Sequence, residues 1–206
     1  MLVGLGSGTT SERMIRKLAE KVHNGLSILA VASSEKSANL AQDLGIQLTT
    51  MAKVRKLDVY IDGADEFDSK LQLIKGGGGA LLREKILAHN SKCNIIIADS
   101  SKQVMRLGNF RLPIETIPFA TESIIAKLAE LKLGPVLRKE KGVAFLTDEQ
   151  NYIVDINIVE IDDIEAFNQF LIQIPGIVET GLFIGYTDIL IVGKGDSTLI
   201  FKKDMK

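Results

Sequence analysis

The chain has 206 residues, of which 25 are Lys or Arg and 26 are Asp or Glu, giving a net charge of -1. This balance offers no overall electrostatic attraction for nucleic acid or a membrane surface. The single cysteine excludes an internal disulfide, and no apolar run approaches the roughly 20 residues of a membrane span. We therefore expect a cytoplasmic protein that binds neither nucleic acid nor a membrane.

The first half of the chain alternates short apolar segments with amphipathic ones. The pattern predicts strands at 2–5, 26–31, 57–61 and 94–98, and helices at 11–23, 34–44 and 80–89. Short apolar strands separated by helices are typical of a parallel sheet that is covered on both faces. The prediction is an α/β fold with an open, Rossmann-like parallel sheet.

The pattern changes after about Arg111. It predicts strands at 112–119, 142–147, 152–158 and 177–183, and helices at 121–132 and 164–174. This β-α-β-β-α-β order indicates an inserted, smaller α+β domain of the ferredoxin-like type. A last hairpin, 188–192 with 198–201, is expected to return to the first domain. The predicted division is residues 1–110 with 188–206 for the catalytic domain, and 111–187 for the insertion.

A glycine-rich turn joins the first strand to the first helix. Its sequence is Gly4-Leu5-Gly6-Ser7-Gly8-Thr9-Thr10. Backbone amides at such a turn favour an anion, and the three hydroxyl groups add donors. A dinucleotide site would want glycine in place of Thr9, and a Walker loop would want Gly-Lys-Ser/Thr. The turn therefore predicts a small phosphate ester, with an ordinary tight turn and N-cap as the alternative.

An acidic segment, Asp62-Gly63-Ala64-Asp65-Glu66-Phe67-Asp68, follows the predicted strand 57–61. Ligands of open α/β sheets bind beyond the carboxyl ends of strands, so these acids could meet substrate hydroxyls or move protons. Their spacing does not match a calcium loop, and no histidine lies nearby in the sequence. A solvated acidic loop is the alternative.

The run Lys75-Gly76-Gly77-Gly78-Gly79 precedes a predicted helix that carries Glu84. Consecutive glycines are costly to order and are expected where a backbone must approach a ligand closely. Helical spacing puts Glu84 on a mainly apolar stripe, where a carboxylate is costly unless it is partnered or used. We predict an active-site carboxylate, with a surface ion pair as the alternative. Lys102 lies in Ala98-Asp99-Ser100-Ser101-Lys102 at the end of another strand. It could donate to a phosphate or carbonyl oxygen of a ligand, but this is a weaker candidate, and a routine strand-to-helix turn is the alternative.

Taken together, these segments resemble the A-type ribose-5-phosphate isomerase family over nearly the whole chain, including Ile174-Pro175-Gly176. The resemblance implies interconversion of ribose 5-phosphate and ribulose 5-phosphate without metal or organic cofactor, usually in a homodimer or homotetramer. It implies Glu84 as the proton acceptor. It also implies substrate contacts from Ser7, Gly8, Thr9, Thr10, Asp62, Gly63, Ala64, Asp65, Lys75, Gly76, Gly77, Gly78 and Lys102.

The resemblance also suggests a mechanism. Asp62 or Asp65 would assist opening of the sugar ring, and Glu84 would carry a proton from C2 to C1 through a cis-enediolate. Lys75 and amides of the glycine run would stabilise the oxyanion. The alternatives are a sugar-phosphate sensor domain without turnover and an amino-sugar phosphate deaminase.

Two features depart from the family pattern. The loop reads Gly-Ser-Gly-Thr-Thr where the family commonly has Gly-Thr-Gly-Ser-Thr, which should preserve the donor chemistry. The family also usually begins with a helix bearing a lysine, whereas this sequence starts almost at the first strand. The expectation is either a shortened start or a site completed in another way.

Overall fold

A computed structural model describes residues 1–203. In chain order the elements are β1 (Leu2–Leu5), α1 (Thr9–His23), β2 (Leu29–Ala32), α2 (Glu35–Asp43), β3 (Val59–Gly63), β4 (Glu66–Phe67), β5 (Leu73–Ile74), α3 (Leu81–His89), β6 (Asn94–Asp99), β7 (Leu112–Thr116), α4 (Thr121–Glu130), β8 (Val136–Leu137), β9 (Lys139–Glu140), β10 (Val143–Ala144), β11 (Tyr152–Ile156), α5 (Ile164–Ile172), β12 (Ile177–Thr180), β13 (Leu182–Phe183), β14 (Ile189–Lys194) and β15 (Ser197–Lys202). Two short 3-10 helices cover Ser100–Lys102 and Pro118–Ala120.

The chain forms two compact units. The first contains residues 1–64, 83–102 and the chain from Gly185 onward, and the second contains residues 65–82 and 103–184.

The first unit is built on a six-stranded sheet in the order β15-β14-β6-β3-β1-β2. Its strands are parallel except β15, which forms an antiparallel hairpin with β14. This confirms the predicted parallel sheet and the returning hairpin. Helix α1 buries Ser11, Ile15 and Ala19, which recur every four residues on one face. The apolar residues of this stripe share a core with Leu5 and Ala30 of the sheet.

Three adjacent strands of this sheet, β1, β3 and β6, end at the same edge because they run parallel. The glycine-rich turn follows β1, the acidic segment begins in β3, and Lys102 follows β6. Ligands of open α/β sheets bind at this kind of edge.

The second unit contains a four-stranded antiparallel sheet in the order β12-β7-β11-β8, with α4 and α5 as its helices. Alternate residues of the two central strands, such as Leu112, Ile114, Val154 and Ile156, are buried in one core cluster. The cluster also takes in Leu128 of α4 and Leu171 of α5, so it joins the sheet of this unit to both of its helices. The β-α-β-β-α-β order of a ferredoxin-like domain is present.

Several predicted boundaries in the second unit were wrong. Its second strand is β8, and the predicted strand 142–147 is reduced to β10, which pairs with β9 across a turn where Gly142 has a φ of +86°. Strand β7 ends at Thr116 because Pro118, which has no backbone N–H, begins a 3-10 turn. The predicted strand 177–183 is split into β12 and β13 at Gly181.

The division into units also differs from the predicted one. Residues 65–82 belong to the second unit because β5 pairs with both β4 and β13 in a small antiparallel sheet. Such two-residue strands lack enough alternation to be recognised in a sequence. The second unit resumes at Gln103 and ends at Ile184, against the predicted 111–187. Residues 204–206 of the predicted catalytic domain lie outside the described residues.

Candidate active site

Asp62 is a buried carboxylate of the first unit, only 1% exposed, and it accepts several hydrogen bonds. Its Oδ1 accepts hydrogen bonds from the Gly63 amide at 2.7 Å, the Ser11 hydroxyl at 2.8 Å and the Ser7 amide at 3.0 Å. Its Oδ2 accepts one from the Tyr60 hydroxyl. The carboxylate thereby connects β3 to the turn after β1 and to the first turn of α1.

Two glycines of the β1 segment make room for two side chains of β3. A Cβ on Gly4 would lie 2.8 Å from the Tyr60 ring, and a Cβ on Gly6 would lie 1.9 Å from Asp62 Oδ1. Residues two apart in a strand point to the same face, so Gly4 and Gly6 face Tyr60 and Asp62 in turn. The Gly-x-Gly spacing therefore serves the packing of β3 as well as the turn.

Helix α1 begins without a side-chain cap. Its N-cap is Gly8, which has a φ of 90° and no side chain that could accept a capping hydrogen bond. The first amides of a helix need acceptors, and the positive end of the helix dipole favours an anion there. Thr9 is exposed and Thr10 half-buried at this end. The arrangement suits a phosphate group.

Ser7 is engaged within the protein. Its hydroxyl lies 2.8 Å from the hydroxyls of Ser33 and Ser34, and its amide donates to Asp62. The nearby Ser37 hydroxyl donates to the Gly6 carbonyl at 2.8 Å. This serine cluster attaches the turn after β1 to the loop after β2.

Glu84 lies on α3 and is 4% exposed, and its neighbours Leu87 and Ala88 are buried as the helical spacing indicates. This burial excludes the alternative of a surface ion pair. The next residue, Lys85, is also buried. Burial, together with the charges of Asp62 and Glu84, raises the pKa of Tyr60 well above its usual value. Tyr60, Asp62 and Glu84 therefore form one electrostatically coupled group.

Lys102 is half-buried at the end of the 3-10 helix that follows β6. The hydrogen bond from the Ser101 hydroxyl lowers the pKa of Asp99, and the Lys102 charge acts in the same direction. Lys102 thus lies at the sheet edge predicted for it, beside an acidic group.

In the second unit, Lys75 is 2% exposed, and its ammonium group lies 5.4 Å from the centre of the Phe183 ring. Its amide donates to the Gly181 carbonyl at 2.9 Å. A cation over an aromatic face is stabilised electrostatically. Lys75, the residue before the four glycines, is therefore fixed both by its side chain and by its backbone.

The glycine run is tied down by two side chains of the same unit. Asp65 accepts a hydrogen bond from the Gly77 amide at 2.7 Å, and a Cβ on Gly77 would lie 2.7 Å from Asp65 Oδ1. Arg138 donates to the carbonyls of Gly76 at 2.8 Å and Gly77 at 3.2 Å, and it also binds Asp155 with two hydrogen bonds. Gly78 remains exposed.

The other two acids of the acidic segment have structural roles. Glu66 accepts hydrogen bonds from the amides of Gly108 and Phe110, and Asp68 closes its own turn by accepting from the amides of Lys70 and Gln72. Both are buried, so the alternative of a solvated loop was wrong for them. Among residues 1–203, no group of three His, Cys, Asp or Glu side chains could hold a metal ion. The same residues contain no helix long and apolar enough to span a membrane.

Comparisons with known proteins identify the family. Residues 29–197 match the family model for ribose 5-phosphate isomerase A (phosphoriboisomerase A). Ribose-5-phosphate isomerase A of Parvibaculum lavamentivorans is 46% identical over 98% of this chain and 90% of its own length. The enzyme of Listeria monocytogenes is 46% identical over 97% of this chain and 89% of its own. The chain belongs to the ribose 5-phosphate isomerase A family.

Solved structures agree with this membership. The isomerase of Methanocaldococcus jannaschii has a TM-score of 0.93 at 34% identity, covering 98% of this chain and 91% of that chain. The isomerase of Plasmodium falciparum has a TM-score of 0.94 at 36% identity, covering 100% and 92%. The present chain is an aldose-ketose isomerase that interconverts ribose 5-phosphate and ribulose 5-phosphate. The predicted family and activity are confirmed, and the sensor and deaminase interpretations are set aside.

Three residues of this isomerase that the sequence did not single out support its candidate site. Tyr60 and Ser11 hold Asp62, and Arg138 holds the glycine run. In the sequence, Tyr60 and Ser11 look like ordinary strand and helix residues. Tyr60 lies two residues before the acidic segment and Ser11 directly follows the glycine-rich turn, and this proximity could have drawn attention to them. Arg138 is 61 and 62 residues from the carbonyls it binds, so no local pattern could have revealed it.

Proposed function

We propose that Glu84 is the single general base of this isomerase, taking the proton from C2 of the open-chain sugar and returning it to C1 through a cis-enediolate. The observation that carries the proposal is a carboxylate only 4% exposed, on a helix whose adjacent buried positions are Leu87 and Ala88. A buried carboxylate is costly and is kept where it is partnered or used. One base suffices because a planar cis-enediolate presents the same face at C1 and C2, so a proton taken from C2 can return to C1 from that side.

The phosphate is bound, in this proposal, at the start of α1. Thr9, Thr10 and the first amides of the helix are its donors, which the uncapped N-terminus at Gly8 supports. Ser7 contributes mainly to the shape of the turn, because its amide and hydroxyl already bind protein groups. Binding energy at this remote phosphate would orient the reacting carbons.

Lys75 and amides of the glycine run, of which Gly77 and Gly78 are exposed, would stabilise the oxyanion that develops at the carbonyl oxygen. Within the described residues the Gly77 amide donates to Asp65 and the Gly79 amide to the Gly76 carbonyl, whereas the Gly78 amide has no protein acceptor. Gly78 is therefore the favoured amide donor. Lys102 would hold a further substrate oxygen, and Gly63, Ala64 and Gly76 would line the site through their backbone.

The test is Glu84→Gln, with Glu20→Gln as the matched control at an exposed surface pair with Lys17. Removing a general base should lower turnover by about 10²- to 10⁴-fold. Phospho-erythronate, the ligand in a solved structure of a D-ribose-5-phosphate isomerase that is 36% identical, should still bind because the amide keeps the shape of the side chain. Glu20→Gln should behave as wild type. A coupled spectrophotometric assay measures turnover in both directions, from ribose 5-phosphate and from ribulose 5-phosphate. Near-normal turnover by Glu84→Gln would contradict the assignment of Glu84 as the general base.

We also propose a cytoplasmic homodimer or homotetramer. Strand β15 is an edge of the six-stranded sheet, and all six of its residues are exposed. Leu199, Ile200 and Phe201 are among them, and an apolar edge strand of this kind is usually covered in a native assembly. Analytical ultracentrifugation measures the assembly directly.

A further inference from the structure

Glu115 is a buried acid of the second unit that the proposed mechanism does not use. It lies in the four-stranded sheet, on β7 between β11 and β12, and is only 1% exposed. We propose that Glu115 is a positioning residue for the glycine run, which it holds in place through the turn 147–151 and the ring of Phe145. This inference rests on the proposed role of the run in stabilising the oxyanion.

The glycine run lies on the same face of the four-stranded sheet as Glu115. Successive residues of β7 alternate between the two faces, so Pro113 and Glu115 face away from the buried apolar core. A Cβ on Gly76 would lie 3.3 Å from the Pro113 side chain. A Cβ on Gly79 would lie 3.6 Å from Ile153, the residue of β11 that is paired with Glu115. Because paired residues share a face, both ends of the run pack on the face that carries Glu115.

Glu115 fastens the turn 147–151 to this face. Its Oε1 accepts hydrogen bonds from the Thr147 hydroxyl and from the side-chain amide of Asn151, both at 2.9 Å. The Thr147 amide donates to the Asn151 carbonyl at 2.9 Å, and the Asn151 amide donates to the Thr147 hydroxyl at 3.1 Å. The two ends of the turn are therefore bound to each other and to one buried oxygen.

The chain just before this turn packs against the glycine run. Phe145 lies two residues before Thr147, and a Cβ on Gly79 would lie 2.4 Å from the Phe145 ring. The Phe145 amide donates to the Arg138 carbonyl at 2.9 Å, and the Arg138 side chain binds carbonyls at the start of the run. Contacts from this part of the chain thus hold both ends of the run, and Gly78, the proposed amide donor, lies between them.

The cost of burying Glu115 indicates that it does more than fill space in the sheet. Within residues 1–203 its Oε2 has no hydrogen-bond partner, and the residue paired with it on β12 is another acid, Glu179. Burial raises the pKa of the Glu115 carboxyl, and the charges of Glu149 and Glu179 act in the same direction. A buried polar atom without a partner lowers stability. A residue kept at this cost is expected to have a role, and its contacts indicate the turn 147–151.

The first experiment compares the same substitution at two buried threonines. Thr147→Val removes the hydroxyl that binds Glu115. Thr121→Val removes a hydroxyl that binds Thr116, on the opposite face of β7, and the Ile117 carbonyl. Each variant loses two hydrogen bonds, so we expect similar losses of stability in urea denaturation. Only Thr147→Val should lower kcat, by about 3- to 10-fold, because only that hydroxyl is connected to the glycine run.

The second experiment changes Glu115 itself. Glu115→Leu removes the acceptor, so the turn and the run can shift, and a displacement of about 1 Å can cost on the order of 100-fold. We expect kcat to fall by about 10- to 100-fold and KM to change little, since the oxyanion contact is made in the transition state. Glu115→Gln keeps an oxygen acceptor and should retain kcat within about twofold of wild type.

Wild-type kcat in Thr147→Val, or an equal loss of kcat in Thr121→Val, would overturn the inference. So would a Glu115→Gln variant as impaired as Glu115→Leu. If Glu115→Leu does not fold, the two threonine variants and Glu115→Gln decide. Arg138→Met acts on the run directly and is measured alongside. A loss of kcat in Arg138→Met but not in Thr147→Val overturns only the role of Glu115, whereas unchanged kcat in both overturns the role of the run as well.

Discussion

The glycine run depends on Arg138, and this dependence can be measured separately from stability. The Arg138 guanidinium binds Asp155 with two hydrogen bonds, of 2.5 and 2.9 Å, and donates to the carbonyls of Gly76 and Gly77. Arg138→Met keeps most of the aliphatic stem but removes all of these donors. It leaves Asp155 without its ion-pair partner in the interior of the second unit.

The size of the effect follows from burial. Removing one partner of a fully buried pair costs about 3–5 kcal/mol. Here the two side chains are 16% and 17% exposed, so water reaches them in part, and we expect a loss of about 2–3 kcal/mol in the free energy of unfolding. The double variant Arg138→Met/Asp155→Leu replaces the pair by apolar groups and should recover most of that loss.

Activity should not recover with stability. In the single and the double variant alike, the carbonyls of Gly76 and Gly77 lack their donor, and the run can shift. A displacement of about 1 Å at a catalytic site can cost on the order of 100-fold, so we expect kcat/KM to fall by about 10- to 100-fold in both. Asp155→Asn alone, which keeps Arg138, serves as the control for a change in the pair.

Urea denaturation followed by far-UV circular dichroism gives the stabilities, and the coupled isomerase assay gives kcat/KM. A double variant that regains wild-type activity together with its stability would refute the reasoning, because Arg138 would then act only as a structural partner of Asp155. Wild-type activity in stable Arg138→Met would refute it equally.

Two further predictions concern the second unit. Gly79→Ala should destabilise by about 1–3 kcal/mol, since Gly79 has a φ of +82° and a Cβ there would lie 2.4 Å from the Phe145 ring, whereas Gly78→Ala, with open space around it, should leave urea stability unchanged. Equal stabilities would contradict this account. Burial raises the pKa of the Glu115 carboxyl above its usual value of 4.5. The stabilising contribution of the protonated carboxyl is therefore complete below about pH 4.5 and is lost as the pH rises through the raised pKa. Glu115→Gln should therefore gain stability relative to wild type at pH 7 but not at pH 4, and a difference independent of pH would count against it.

The architecture was largely predictable because both units are built from strongly periodic elements. Apolar strands alternating with helices indicated the parallel sheet, and α1 and α3 begin within two residues of their predicted starts. The errors fall where local pattern is weak. Strands β4, β5 and β13 have two residues each, and they exist through pairing partners distant in the sequence. Their pairing moved residues 65–82 into the second unit.

The motifs of the candidate site could be recognised in the sequence, but the contacts of their side chains could not. The motifs containing Asp62, Asp65 and Glu84 follow from glycine and acid patterns in the sequence, but which acid is saturated with donors depends on side chains from other elements. Ser11 comes to Asp62 from α1, 51 residues away in the chain. A sequence reader sees two equivalent aspartates, whereas their hydrogen bonds in the folded units make them different.

The contacts among Tyr60, Asp62 and Glu84 in the first unit bear on the proposal that Glu84 is the general base. The raised pKa keeps the Tyr60 phenol protonated at neutral pH, so the phenol remains a donor to Asp62 and cannot act as a base. Asp62 is committed to its four donors. Glu84 is the remaining carboxylate, and it lies close enough to influence Tyr60 electrostatically. Tyr60 and Asp62 are thus both fixed by their hydrogen bonds, which supports the proposal that Glu84 carries the proton.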